Sequence, residues 1–577
     1  MTKHYLWTLV SLCLLCLFSP LSAFSEDGAK DVLKIQNTIQ KDSIQVRSDN
    51  FTLSGKINGA QGIEMISELE RFRSALLETH GLPATSIDQR VDIYVVSDPE
   101  IYSILGVDES FVAIYTQTNA GPRALINGSS EAFDASSGSV LRHGLRHEYA
   151  HHFTQTYLRL TEPVWLAEGL AEYYAGYVEN EDGSYHFGEA NETHEYVLKF
   201  PIPSWFDMRD LLGSLGDIKT ARLPKNTGLR DWAQRPDDVS FFYAQSWAFT
   251  HWMMNKTGQT NIKEGTEQLA ALVERLIAND MPVSRDLSSW PTLDALRLES
   301  ETHDEAIAES VRLELGVPLQ LGEKTSRKID TLESRMADYI KAGVPVFTAQ
   351  PEADRVTASV SIKTLTPSEA AAIQYRQLSL AAGSRALIHP RMKSLKAEIE
   401  ANPKTAPSLI ISEAAQQFSM GGRQSAVDLM AKAAAQNILT SEDETLALNI
   451  AYGDFVNHSY QNPAAMRIKL RQALAQRPND VSLLVMMAVT GAGDLRSGND
   501  VISIESQTAL KTLEEMDVAK TRPLFTLPLV NLYAAQENDK AALALLYRAL
   551  VFKPSNQSEL RSFIRDLESR AEAQRAP

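Results

Sequence analysis

His147-Glu148-Tyr149-Ala150-His151 is the segment of this 577-residue chain whose residue types and spacing can do chemistry. On a helix, residues four apart share a face, so His147 and His151 point together, one turn apart. Two imidazoles at that separation can hold one zinc ion, and the enclosed Glu148 sits close enough to work on a metal-bound water. Further on, Trp165-Leu166-Ala167-Glu168-Gly169-Leu170-Ala171-Glu172-Tyr173 offers Glu168 as a third ligand. Three protein ligands leave a fourth position for water or substrate, which is the ligand set of a catalytic zinc site rather than a structural one.

The elements that must position these groups are legible around them. Val140, Leu141, Leu145, Ala150 and Phe153 surround the first motif, and no proline interrupts the chain from Ser136 to Glu162. Ser136, Ser137 and Ser139 are N-cap candidates, and Thr161-Glu162-Pro163 supplies a stop. A second helix is expected from Pro163, because proline is tolerated in a first turn. His143, one turn before His147, competes as a ligand on spacing alone. His152 lies about 100° round the helix from His151 and points elsewhere.

These motifs resemble the gluzincin metallopeptidases, the zincins whose third ligand is a glutamate. Sixteen residues separate His151 from Glu168, close to the gap in aminopeptidase N-like enzymes, and Trp165–Ala171 is similar to their W-L-x-E-G-x-A signature. The fuller string W-L-x-E-G-x-A-E-Y recurs in bacterial peptidase-MA-like proteins. The likeness extends over roughly residues 40–260, with its specific motifs confined to 147–172 and 243–246. It implies that His147, His151 and Glu168 are ligands to Zn2+ and that Glu148 is the general base.

Glu172, one turn beyond Glu168, matches the acidic residue that in gluzincins such as thermolysin orients a ligand histidine through its second ring nitrogen. A carboxylate there fixes the tautomer and raises ligand basicity. Tyr243-Ala244-Gln245-Ser246 resembles the Y-x-K-G segment whose tyrosine donates to the oxyanion, with Gln245 and Ser246 in place of lysine and glycine. A core tyrosine on an amphipathic helix is the other reading of Tyr243. The aminopeptidase G-x-M-E-N strand, whose glutamate holds a substrate's free amine, is missing; its positional counterpart is Arg123-Ala124-Leu125-Ile126-Asn127-Gly128. Endopeptidase-like use is therefore supported at least as well as exopeptidase use.

The apolar run from Tyr5 to Phe18, followed by Ser19-Pro20-Leu21-Ser22-Ala23, reads as a secretory signal peptide over residues 1–23. Both cysteines, Cys13 and Cys16, lie inside it, so the mature chain carries no disulfide or thiol chemistry. An exported protein, periplasmic or secreted, is expected, with no stable membrane insertion after signal cleavage. The formal charge of −17 argues against nucleic acid and anionic membrane surfaces as partners. Asn191-Glu192-Thr193 matches a glycosylation pattern, which has meaning only in a eukaryotic source.

Ile44-Gln45-Val46, Phe51-Thr52-Leu53, Val91–Val96, Phe111–Tyr115 and Ala124-Leu125-Ile126 read as strands, and Ala60–Thr79 carries an amphipathic helical pattern. A hairpin is expected from Tyr177 to Phe187, pivoting on Asp182-Gly183. Residues 188–239 are rich in turns and aromatics and suit a flap or wall beside the site. Ala426, Met430 and Ala433 share spacing with Ala542, Leu546 and Ala549, and loosely with Met466, Leu470 and Ala473. Pro403, Pro478 and Pro554 recur at an interval that suits pairs of helix hairpins near the tetratricopeptide length.

The fold class expected is an α+β zincin-like catalytic domain over 40–260, a small sheet plus active-site helices. A helical extension follows over 261–342, then an all-α tetratricopeptide-like repeat domain over 365–575, with the boundary at Gly343–Asp354. The function expected is a zinc peptidase acting on a peptide or protein substrate, with a protein partner held by the helical repeats. The alternative is a peptide-binding helical scaffold whose zincin domain is not catalytic; the presence of Glu148 separates the two, because a scaffold needs only the ligands.

Overall fold

The computed structural model describes residues 43–83, 89–105, 112–128, 138–160, 163–200, 205–206, 208–213, 238–255, 261–280, 332–351, 359–381, 389–440, 443–516, 523–551 and 557–575. The expected signal peptide lies outside these, as do Ser136, Ser137, Thr161, Glu162 and residues 281–331 of the expected helical extension. The described residues are mostly helical, with one six-stranded sheet and a two-stranded hairpin. They belong to two compact units, each assembled from distant parts of the chain. The first comprises Met1–Arg73, Ser86–Tyr149 and Arg355–Gln507; the second comprises Ser74–Thr85, Ala150–Asp354 and Thr508–Pro577.

The first unit is built on the sheet. In β1 (Ser43–Arg47) burial alternates, with Ile44 and Val46 turned inward, as a half-covered strand requires. By contrast β2 (Phe51–Lys56), β3 (Val91–Val96) and β5 (Gly121–Asn127) are buried along nearly their whole lengths. These three run parallel to one another, and strands of a parallel sheet are covered on both faces, so even Thr52, Ser54 and Arg123 are buried. β4 (Ala113–Thr118) pairs antiparallel with β5 and forms one edge, giving the order β4-β5-β3-β2-β1 with a sixth strand beyond β1. Parallel strands need a crossover, and the long helix α1 (Gly59–Thr79) carries the chain from β2 to β3. Its Glu70 ties down the β1–β2 turn, accepting from Ser48 Oγ at 2.6 Å, Asn50 N at 3.1 Å and Asn50 Nδ2 at 2.8 Å. The short helix α2 (Pro99–Leu105) follows β3.

The sequence reading assigns no strand to residues 361–364, yet they form β8 (Ser361–Thr364), antiparallel to β1. All four residues are exposed, so main-chain pairing to an available edge, not side-chain burial, makes this strand. The described elements from Pro367 to Glu515 in and around this unit are helices. On Arg423–Ala435 the expected positions Ala426, Met430 and Ala433 are buried, as are Met466 and Leu470 on Pro463–Gln476.

The motif helix α3 (Gly138–Phe153) is seated in this unit by its apolar face. Leu141 and Leu145 are buried, and Tyr149 meets the rings of Phe51 and Phe72 edge-on at 5.1 and 5.9 Å. The helix then widens into a π turn over Thr154–Leu158 and stops at Arg159, which is left-handed at φ 62.

In the second unit α4 (Val164–Ala175) begins directly after Pro163, as expected, and is buried nearly all round. The expected hairpin pairs β6 (Val178–Glu179) with β7 (Tyr185–His186), and Asp182 Oδ1 accepts from Ser184 N at 2.9 Å across its turn. Short helices α5 (Glu192–Leu198) and α6 (Met208–Gly213) follow; residues 214–237 of the expected flap lie outside the described set. Then come α7 (Asp238–Asn255), α8 (Ile262–Asp280) and α9 (Leu332–Lys341). In Asp539–Val551 the expected inward positions Ala542, Leu546 and Ala549 are buried.

Two histidines of this unit are held neutral inside it. Burial lowers His80 and His251 from the ordinary 6.5 to about 3, with Lys263 adding to the effect on His80. His80 Nε2 meets Tyr174 Oη at 2.8 Å, and His251 Nδ1 meets Tyr339 Oη at 2.9 Å. In the unfolded chain both take up protons below about pH 6.5. The unfolded state therefore binds more protons between about pH 6.5 and 3, and stability is lost as pH falls through that window. The expected slope is about 1.4 kcal/mol per pH unit for each histidine. Melting temperatures at pH 7, 5.5 and 4.5 should fall accordingly, and His251→Gln should flatten the dependence.

Candidate metal centre

α3 places His147 and His151 one turn apart on one face, and α4 brings Glu168 to them. One ligand atom from each of the three lies within 4.8 Å of the others. His151 Nε2 and Glu168 Oε2 are 3.4 Å apart. His147 is buried at the rear, whereas His151 and Glu168 keep 19% and 17% of their side-chain exposure, so solvent reaches the group from one side. Two imidazoles and a carboxylate at this separation can hold a metal ion. Of the histidines set aside, half-buried His143 and buried His152 both stand outside this group.

Glu148 turns from the same helix toward the sheet, where its Oε2 accepts the main-chain N–H of Tyr115 at 2.5 Å. Tyr115 is on β4. Asn127 N donates to Val112 O at 2.9 Å, so by the alternation of an antiparallel pair Val112, Ile114 and Thr116 address β5. Ala113, Tyr115 and Gln117 therefore turn their main-chain groups away from β5, and Tyr115 meets Glu148 on that side. This alters one expectation. Arg123–Gly128, the counterpart of the G-x-M-E-N strand, contributes β5, which is flanked on both sides and fully buried. The edge strand beside the motif helix is β4, and it carries no carboxylate.

Neither a protein-family model nor a curated protein matches this chain.

Glu172 is buried one turn beyond Glu168, and its Oε2 faces His194 Nε2 at 3.2 Å and Asn191 Nδ2 at 3.4 Å. Neither partner was singled out from sequence for this site. In sequence Asn191 belongs only to a glycosylation pattern, whereas its side chain caps α5, accepting from His194 N at 2.8 Å. An asparagine opening a short helical run was the signal available. The Tyr115 contact had no signal at all, because the group concerned is a backbone N–H.

Tyr243 is half-buried on α7. It lies three residues before Ser246, on the face that packs against α4. The two positions that depart from the Y-x-K-G pattern, Gln245 and Ser246, are both fully buried. Gln245 is fully buried and clamps the chain at Phe206, accepting from its N at 2.7 Å and donating to its O at 3.0 Å.

Gly169, directly after Glu168, marks the closest approach of α4 to α7. A Cβ there would lie 2.3 Å from Thr250 Oγ1 and 2.6 Å from Ser246 O. The second of these is main chain and cannot rotate away, so this position has no room for a side chain. Gly169→Ala should destabilise the fold by about 1–3 kcal/mol, since overpacking forces backbone shifts. Thermal or urea unfolding would register the change, and a wild-type midpoint would refute the close approach.

Proposed function

We propose that this chain is an exported zinc-dependent peptidase of the gluzincin type, with Glu148 as general base. The observation that carries the reading is the convergence of His147, His151 and Glu168 around one point, with Glu148 on the same helix fixed by the Tyr115 amide. The donor set fits zinc. Two atoms each about 2.0–2.1 Å from a tetrahedral zinc ion stand about 3.4 Å apart, and His151 Nε2 and Glu168 Oε2 have that separation, 3.4 Å. Zinc, when bound, supplies Lewis acidity toward a scissile carbonyl and lowers the pKa of a coordinated water.

The chain's own groups do the rest. Glu148, oriented by the N–H of Tyr115, takes a proton from the attacking water and delivers it to the leaving amine nitrogen. Tyr243, from α7, donates its phenolic hydrogen to the oxyanion. Glu172 orients the ligand set from α4. An extended peptide aligns along β4, where Ala113 and Gln117 offer main-chain groups without demanding a particular sequence. The lack of a carboxylate on β4 favours internal peptide bonds over a free N-terminus.

The apolar leader at Tyr5–Phe18 and the absence of cysteine beyond Cys16 support export. No helix among the described residues is long and apolar enough to cross a membrane. The C-terminal helices hold a protein substrate or partner. Zinc stoichiometry of the purified chain, together with cleavage of a broad peptide library, tests the reading. A wild-type chain without stoichiometric metal, or a loaded one that cleaves nothing, would end it.

A further inference from the structure

We infer that His194 is a positioning residue for the metal centre, acting through Glu172. This rests on the zinc reading proposed above, and goes beyond it by assigning work to a residue outside every motif that supports that reading.

Glu172 is 7% exposed. A carboxylate removed from water to that degree requires donors, or it is destabilised and swings to find them. Two donors converge on the same oxygen, Oε2: His194 Nε2 at 3.2 Å and Asn191 Nδ2 at 3.4 Å. Both are themselves fixed. Asn191 Oδ1 accepts the main-chain N–H of His194 at 2.8 Å, so the cap and the imidazole belong to one turn of α5. The imidazole is 2% exposed and lies nearly parallel to the indole of Trp247, centroids 5.1 Å apart and planes at 25°. Trp247 is the neighbour of Ser246, whose carbonyl abuts Gly169 on α4.

Three helices of the second unit are thereby joined at one level, α4 through Glu172, α5 through His194 and α7 through Trp247. The carboxylate one turn beyond Glu168 has its Oε2 held by two groups of α5 and its cap. A metal site whose outer carboxylate is free to turn loses the fixed tautomer and added basicity that such a group gives a ligand histidine. A flat ring with a donor at its edge suits both contacts at once: its face stacks on the indole while its N–H reaches the carboxylate. Phenylalanine keeps the first and lacks the second, whereas glutamine keeps a donor and gives up the stacking.

Zinc affinity of the full chain, measured by competition with a chelator of known affinity, tests this without reference to activity. His194→Phe should weaken zinc binding by about 10–100-fold, the usual cost of losing an outer partner, while His194→Gln should recover most of it. Glu172→Gln should weaken binding to a similar extent. The double variant should be no worse than the weaker single, because the two residues act in series. Wild-type affinity in His194→Phe, or fully additive losses in the double variant, would overturn the inference. If His194→Phe does not fold, Glu172→Gln decides: several-fold weaker binding supports the inference, and unchanged binding removes the group through which His194 acts and overturns it. A wild-type chain that binds no zinc brings down the proposed function and this inference together. Tight wild-type binding with unaffected variants brings down this inference alone.

Discussion

Glu148→Gln is expected to lower kcat/KM for peptide hydrolysis by about 10²–10⁴-fold, the contribution of a positioned general base, with zinc content at the wild-type level. The substitution is isosteric, and the amide oxygen can still accept from Tyr115 N–H, the bond Glu148 makes at 2.5 Å. What is lost is the ability to take a proton. The ligand group comprises His147, His151 and Glu168 and excludes Glu148, so the metal should stay. The two measurements together are decisive. A variant that keeps more than a tenth of the activity removes Glu148 from the role of base, and one that loses its zinc makes Glu148 a ligand instead.

Glu168→Gln should have the largest effect on the metal itself. It replaces the carboxylate of the group by an amide and leaves two imidazoles on α3, so affinity should drop by more than the roughly 10–100-fold that an outer partner is worth. The loss should also be visible as stability. A ligand that binds only the folded state stabilises it by about 2.7 kcal/mol at a hundred times its Kd. Zinc should therefore raise the melting temperature of the wild-type chain, a strong chelator should reverse the shift, and Glu168→Gln should respond to neither. Equal zinc shifts in both proteins would remove Glu168 from the ligand set. Because Gly169 beside it already sits against α7, the variant's metal-free melting temperature is the control for a packing defect.

Much of this was legible in the residues. The spacing of His147 and His151 needs only a helix to become a shared face, and the run from Leu141 to Phe153 is helical because its apolar residues repeat at helical intervals. Pro163 announced the start of α4, and the alternation in β1 and the apolar residues Ile93–Val96 and Ala124–Ile126 marked the sheet. The turn chemistry at Asp182-Gly183 placed the hairpin. Each of these signals is local, carried by residues within a few positions of one another.

What escaped the sequence is what depends on neighbours from elsewhere in the chain. β8 has no buried side chain to betray it; it exists because β1 offers an edge more than three hundred residues earlier. Which strand borders α3 could not be read either, since β4 and β5 both look like strands and only the sheet order makes β4 the edge. The Tyr115 contact with Glu148 is made by a backbone group that every residue but proline carries.

The sequence by itself determined the chemistry on offer: two imidazoles and a carboxylate at metal-binding spacing, with a further carboxylate between the imidazoles. It did so because those residue types and helical intervals are properties of short segments. Only the tertiary structure decided that Glu168 comes within reach of His151, that Glu148 is held by β4, and that Glu172 faces His194 rather than water. Those contacts depend on where α4, α5 and α7 pack, and packing is set by the burial of Trp165, Trp247 and Tyr173 together, not by any one stretch of the chain.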